Sequence, residues 1–198
     1  QTRIWPGDAR MMADLAIATE LVRERHPDAP LFLLGESMGG AVVMAALDRP
    51  DAPAADGAIL IAPAIYGRES HGPFTSATLW FFAHTMPWMK MSGDGFRVVP
   101  TDNRAVLREM WQDPLVLKQA RVDALYGLAG LMDKSLAAAA RAGGDVPTLI
   151  LYGAREDVMP SGAVMEALGR LPRDRGPERL RVGIYPAGYP MLLRALAG

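Results

Sequence analysis

The segment Gly35-Glu36-Ser37-Met38-Gly39-Gly40 is the part of the chain best suited to covalent chemistry. It is a Gly-x-Ser-x-Gly turn with the apolar run Leu31-Phe32-Leu33-Leu34 before it and small and apolar residues over 39–47 after it. Strand, tight turn and helix in that order make a nucleophile elbow. Such a turn lifts the Ser37 hydroxyl into the open, where it can attack a carbonyl carbon. It also sets the Met38 backbone N–H at a helix N-terminus, ready to donate to the oxyanion that attack creates. Gly35 and Gly39 are expected there because a side chain at either position would strike the adjoining strand or helix. The plainer alternative is a glycine-rich turn with an incidental serine. The strand on one side and the helix on the other favour the nucleophile.

A serine nucleophile needs a base to take its proton and an acid to orient that base. The run Thr148-Leu149-Ile150-Leu151-Tyr152 ends in Gly153-Ala154-Arg155-Glu156-Asp157. Carboxylates just past the C-terminal end of a strand are well placed for the acid, and either Glu156 or Asp157 can take the role. The other is then a helix cap or a surface charge. The base is harder to find. The three histidines are His26, His71 and His84, and none follows the last predicted strand. His26 closes the first predicted helix, and His71 and His84 read as structural side chains.

The elements that must position these groups alternate in type. Asp8 reads as the cap of a first helix, with Met11, Leu15, Ala18 and Val22 as its apolar face. Residues 31–34, 59–62, 148–152 and 180–185 read as strands, the first without polar alternation and so expected to be buried on both faces. Residues 163–171 and 191–196 read as helices. This is an α/β chain with a mostly parallel sheet. Residues 66–145 break the alternation, since about eighty residues stand where a crossover needs about a dozen. They read as a helical insertion over one sheet edge, clearest at 104–111 and 119–140. Residues 1–65 and 146–198 then form the core.

Composition closes off other classes. The chain has 198 residues, 21 Lys+Arg against 22 Asp+Glu, and no cysteine. A net charge of −1 lacks the basic excess that nucleic-acid binding needs. Without cysteine there are no disulfides, thiolate metal sites or cysteine nucleophiles. Residues 70–89 carry no Asp, Glu, Lys or Arg, but Gly72, Pro73 and Pro87 argue against a membrane span.

The chain resembles the bacterial monoacylglycerol lipase and lysophospholipase group of α/β-hydrolases, also called serine aminopeptidase-like hydrolases. The resemblance rests on Trp5-Pro6-Gly7, the 35–40 elbow, Ala62-Pro63-Ala64, Asp113-Pro114-Leu115-Val116, residues 121–128 and 131–133, the 151–160 strand end, and Tyr185-Pro186-Ala187-Gly188-Tyr189-Pro190-Met191-Leu192-Leu193-Arg194. It implies a partial α/β-hydrolase fold with a helical cap over 66–145, acting on esters of single-chain lipids without cofactor or metal. It also implies that the first strands of the family fold, and the loop carrying a second oxyanion N–H, are missing from this chain. The family's acid position falls on Glu156, with Asp157 one place on. The family's catalytic histidine falls on Pro190, which cannot accept a proton.

Within the predicted cap, Trp80, Phe81, Met86 and Trp88 can line an acyl groove or face a lipid interface, or they can pack the cap onto the sheet. Two functions stand side by side. One is a carboxylic-ester hydrolase for monoacylglycerols or lysophospholipids, with Ser37 as nucleophile and peripheral contact with a membrane. The other is an inactive fragment or degenerate copy that binds lipid or a protein partner. A peptidase rests on the family's alternative name alone. The oligomeric state, and a cytoplasmic or membrane-associated location, stay open.

Overall fold

The computed structural model describes residues 4–67, 72–92, 100–155 and 161–196. In chain order the elements are α1 (Asp8–Arg25), β1 (Phe32–Glu36), α2 (Met38–Leu47), β2 (Gly57–Ile61), α3 (Pro73–Thr85), β3 (Lys90–Ser92), α4 (Arg104–Gln112), β4 (Gln119–Arg121), α5 (Val122–Ala139), β5 (Thr148–Gly153), α6 (Ser161–Arg170) and β6 (Leu180–Tyr185). A 3-10 turn, Leu192–Arg194, stands where a helix over 191–196 is predicted. The four long strands form a parallel sheet in the order β1-β2-β5-β6, as the α/β reading expects. All four therefore end at one edge, and the elbow lies on that edge.

Residues in register on parallel neighbours point to the same face. Leu33, Ala58, Leu60, Ile150 and Tyr152 share one face and one core with Val43 and Met44 of α2, Leu136 and Ala139 of α5, and Ala167 of α6. Burying a side chain the size of Leu60 or Ile150 contributes roughly 1.5–3 kcal/mol. The opposite face is thinner. Phe32 is 58% exposed and Leu34 55%, so β1 is not buried on both faces as its apolar run predicts. β1 is the edge of the sheet, and the apolar run reflects a strand with one covered face and one open one. Ile59, Leu149 and Leu151 on that open face are half-buried.

Two local predictions shift. Gly7, at φ 92°, precedes α1, and Asp8 is its first helical residue, with its carboxylate held by Lys134 of α5 rather than by a cap bond. That bond holds the Asp8 carboxyl below the usual carboxylate range. The packed face of α1 centres on Met12, Leu15 and Thr19, while Ala18 and Val22 are exposed. Thr19 is admitted to the core because its hydroxyl donates to the Leu15 carbonyl at 2.8 Å.

Within 66–145, β3 and β4 form a short antiparallel pair that the helical reading misses, so the helix predicted over 119–140 begins at Val122. α3 packs on α5, whereas α5 itself packs against α2 and lends Leu136 and Ala139 to the sheet core. The last part of the predicted insertion is thus built into the helical layer. Asn103 caps α4, its side-chain oxygen accepting from the N–H groups of Ala105 and Val106.

Candidate active site

Ser37 sits between β1 and α2 with φ 51° and ψ −117°, a conformation that costs an L-residue of order 1–3 kcal/mol. The surroundings hold it there. Ser37 N–H donates to the Ile61 carbonyl at 2.9 Å, and Ala64 N–H donates to the Ser37 carbonyl at 3.0 Å. Ala62, itself at φ 40°, donates to the Leu151 carbonyl at 2.7 Å. The Tyr152 hydroxyl reaches the Pro63 carbonyl from β5 at 3.0 Å. The Ala62-Pro63-Ala64 segment noted in the sequence is therefore the brace of the elbow. Ser37 is exposed and makes no side-chain cap bond to α2. Met38 is the first residue of α2, so its N–H is one of those that a helix leaves without an intrahelical acceptor.

The glycine requirement falls differently from the motif. A Cβ on Gly35 would lie 2.6 Å from the Gly39 carbonyl oxygen, and one on Gly40 would lie 2.7 Å from Pro63 Cβ. A Cβ on Gly39 would meet nothing within 4 Å. The collisions come from α2 starting directly over β1 and lying against the Pro63 brace, so Gly35 and Gly40 are the tight positions and Gly39 is not.

The segment carrying position 190 comes to the same edge. Ala154 N–H donates to the Tyr185 carbonyl at 2.8 Å and Arg155 N–H to the Gly188 carbonyl at 3.0 Å, which lays residues 186–190 over the end of β5. The Arg155 guanidinium bonds the Tyr189 hydroxyl at 3.1 Å and lies over its ring. Pro190 is buried, and Met191 N–H donates to the Pro100 carbonyl. Glu156, Asp157 and His71 lie outside the described residues. His26 is the C-cap of α1. His84 is held on α3, its Nδ1 2.7 Å from the Trp80 carbonyl and its ring stacked on Trp80 and edge-on to Tyr126. Trp80, Phe81, Met86 and Trp88 are all exposed on α3 and the turn after it. Among the described residues no three acidic or histidine side chains cluster as metal ligands, and no helix is long and apolar enough to cross a membrane.

Sequence reasoning passed over Glu36. Its Oε1 is buried and has no hydrogen-bond partner, beside the nucleophile. Burial raises its carboxyl above the ordinary value of 4.5, and the Arg194 charge opposes this without reversing it. The only signal in the sequence is a carboxylate ending an apolar strand. An acid raised in the folded state holds its proton more tightly there than in the unfolded chain. Its contribution to stability is therefore greatest below the unfolded value and is lost as pH rises through the carboxylate range. Glu36→Gln is expected to melt above the parent at pH 7, with the difference closing below about pH 4, where both side chains are neutral. Thermal melts across that range measure it, and a parent that melts above the variant at pH 7 would refute it.

A groove of about 870 Å³ opens at the opposite edge of the sheet, between residues 47–56 and 141–148. Of the arginines that line it, Arg23 is paired with Asp56, Arg49 with Asp51 and Arg141 with Asp48.

The description "Serine aminopeptidase, S33" of the Hydrolase_4 family matches residues 1–193. The chain belongs to this family. Its fold is that of the α/β-hydrolases. The monoacylglycerol lipase of Paleococcus ferrophilus superposes with a TM-score of 0.74 at 19% identity, over 98% of this chain and 71% of that one. A soluble variant of the Saccharomyces cerevisiae monoglyceride lipase, in complex with a substrate analog, gives 0.68 at 17% identity over 93% and 63%. A carboxyl esterase from Bacillus coagulans, in complex with glycerol, gives 0.66 at 17% identity over 91% and 64%. This S33-family chain thus spans about two thirds of the length of these relatives. No curated protein matches it by sequence.

Proposed function

We propose that this chain carries the nucleophile half of a carboxylic-ester hydrolase site for single-chain lipids, monoacylglycerols or lysophospholipids. The strained Ser37 conformation carries this reading, because backbone strain braced from three sides serves to present the hydroxyl. Given a base to take its proton, Ser37 attacks the ester carbonyl, the Met38 N–H holds the oxyanion, and Glu156 or Asp157 orients that base, which Pro190 does not supply. Of residues 66–145, the part before α5 acts as the cap. Trp80, Phe81, Met86 and Trp88, exposed together, offer an apolar surface to an acyl chain and to a lipid interface. The lipases and esterase among the structural relatives support the ester class.

A second reading, lipid binding without turnover, is favoured by Pro190, which puts a buried ring with no proton acceptor where the resemblance places the base. An alkyl fluorophosphonate separates the two, because fluoride leaves more readily than an alkoxide and the probe reports nucleophile activation alone. Labelling of Ser37 is expected to be at least tenfold faster in Pro190→His than in the parent and absent in Ser37→Ala. No labelling at Ser37 in either chain would leave the binding reading.

A further inference from the structure

β6 is an edge strand, and it is open on both faces. Val182 is 42% exposed and Ile184 54% on the face that the helices cover elsewhere, and Arg181 and Tyr185 are exposed on the other. β1, the opposite edge, is open on one face only and ends in the carboxylate of Glu36. The backbone of β6 divides by parity. The carbonyls of Arg179 and Tyr185 accept from Thr148 and Ala154, so residues 179, 181, 183 and 185 bond toward β5. Val182 and Ile184 therefore point their N–H and C=O groups away from the sheet, and among the described residues no strand lies on that side. The Leu180 N–H is already taken by the Gly176 carbonyl at 3.0 Å.

We propose that two copies of this chain join through their β6 edges, antiparallel about a two-fold axis at Gly183, into one continuous sheet. The sequence Leu180-Arg181-Val182-Gly183-Ile184-Tyr185-Pro186 is complementary to itself in that register. Val182 stands opposite Ile184 of the partner subunit, and the pair exchanges both N–H···O=C bonds because both residues face outward. β-branched side chains opposite one another are favourable cross-strand pairs. Arg181, whose Nε donates to the Pro177 carbonyl, stands opposite Tyr185 of the partner subunit, a cation over an aromatic ring. Leu180 meets Pro186 of the partner subunit, where the ladder ends without an orphaned donor, because Pro186 has no N–H and that of Leu180 is used. Like charges are not opposed anywhere in the register. Gly183 faces its own copy across the axis in the close, non-hydrogen-bonded position, where a missing side chain removes the steric conflict. The partner is a second copy, because complementarity of a strand to its own reverse is a property that a foreign strand does not require.

An interface of one strand is small, so the association is a concentration-dependent equilibrium. Sedimentation of the chain from about 1 μM to about 1 mM is expected to show the 21.4 kDa species giving way to twice that mass. Ile184→Lys charges the edge without touching the bonds to β5, and is expected to weaken association at least tenfold. Leu34→Lys on β1 is expected to leave it unchanged. Register is read by crosslinking, which the absence of cysteine makes clean. Two Gly183→Cys chains would bring their Cα atoms to about 4.5 Å, within disulfide reach, and the one tight contact of the new Cβ is with the movable tip of Leu151. Glu178→Cys, exposed and far from its own copy in this register, is expected not to crosslink. A monomer throughout the range, association lost in Leu34→Lys and kept in Ile184→Lys, or equal crosslinking of the two cysteine variants would each overturn the proposal.

Discussion

Hydrolysis of a short-chain nitrophenyl ester by this chain is expected to run no faster than in Ser37→Ala. An unassisted serine hydroxyl lacks the roughly 10²–10⁴-fold contribution of a positioned general base. Position 190 offers a buried pyrrolidine ring, and His84 is committed to Trp80 on its own helix and to Tyr126 of α5. Pro190→His alone is expected to leave turnover at that background even where it speeds phosphonylation. Among the described residues no strand lies on the outer side of β1 to bring a second N–H beside Met38, and one absent oxyanion donor costs about 10²–10³ in kcat. Initial rates of the three chains, at equal active concentration, decide it. Clear Ser37-dependent turnover in the unmodified chain would overturn the expectation. Its loss on His71→Ala or His84→Ala would then name the base.

The second large effect lies in the elbow's glycines, and it contradicts the motif. Gly35→Ala is expected to cost more than about 3 kcal/mol or to prevent folding, because the new methyl lies 2.6–2.7 Å from backbone atoms of Gly39 and Gly40, which cannot step aside. Gly40→Ala presses on Pro63 and is expected to cost about 1–3 kcal/mol. Gly39→Ala has open space and lies inside α2, so it is expected to be neutral or to stabilise by up to about 1 kcal/mol. Denaturant unfolding of the three variants gives the order directly. A Gly39→Ala variant as unstable as Gly35→Ala would show that the collision has been misplaced.

Local features of the sequence settled the strands of the sheet and the serine at the turn. The reason is that a short apolar run, a glycine-flanked turn and a following helix are each dictated by neighbours in the chain. The acid was legible only as a choice between Glu156 and Asp157, both outside the described residues. Features that depend on which surface meets another were decided by tertiary structure. The alternation-free run of β1 looked buried on both sides, yet an edge strand with one helical layer leaves Phe32 and Leu34 in solvent. α1 turned its Met12–Thr19 face inward because α2 lies there, although Val22 is as apolar as Met12. α5 was assigned by length to an insertion, but its contacts with α2 and the sheet place it in the core layer. The glycine that the motif nominates at 39 faces open space, because only the docking of Pro63 against α2 determines which backbone is crowded. Glu36 drew no notice as a letter between Gly35 and Ser37. Folding strips water from one of its carboxylate oxygens and supplies no donor, and that is a property of the assembled edge rather than of any stretch of sequence.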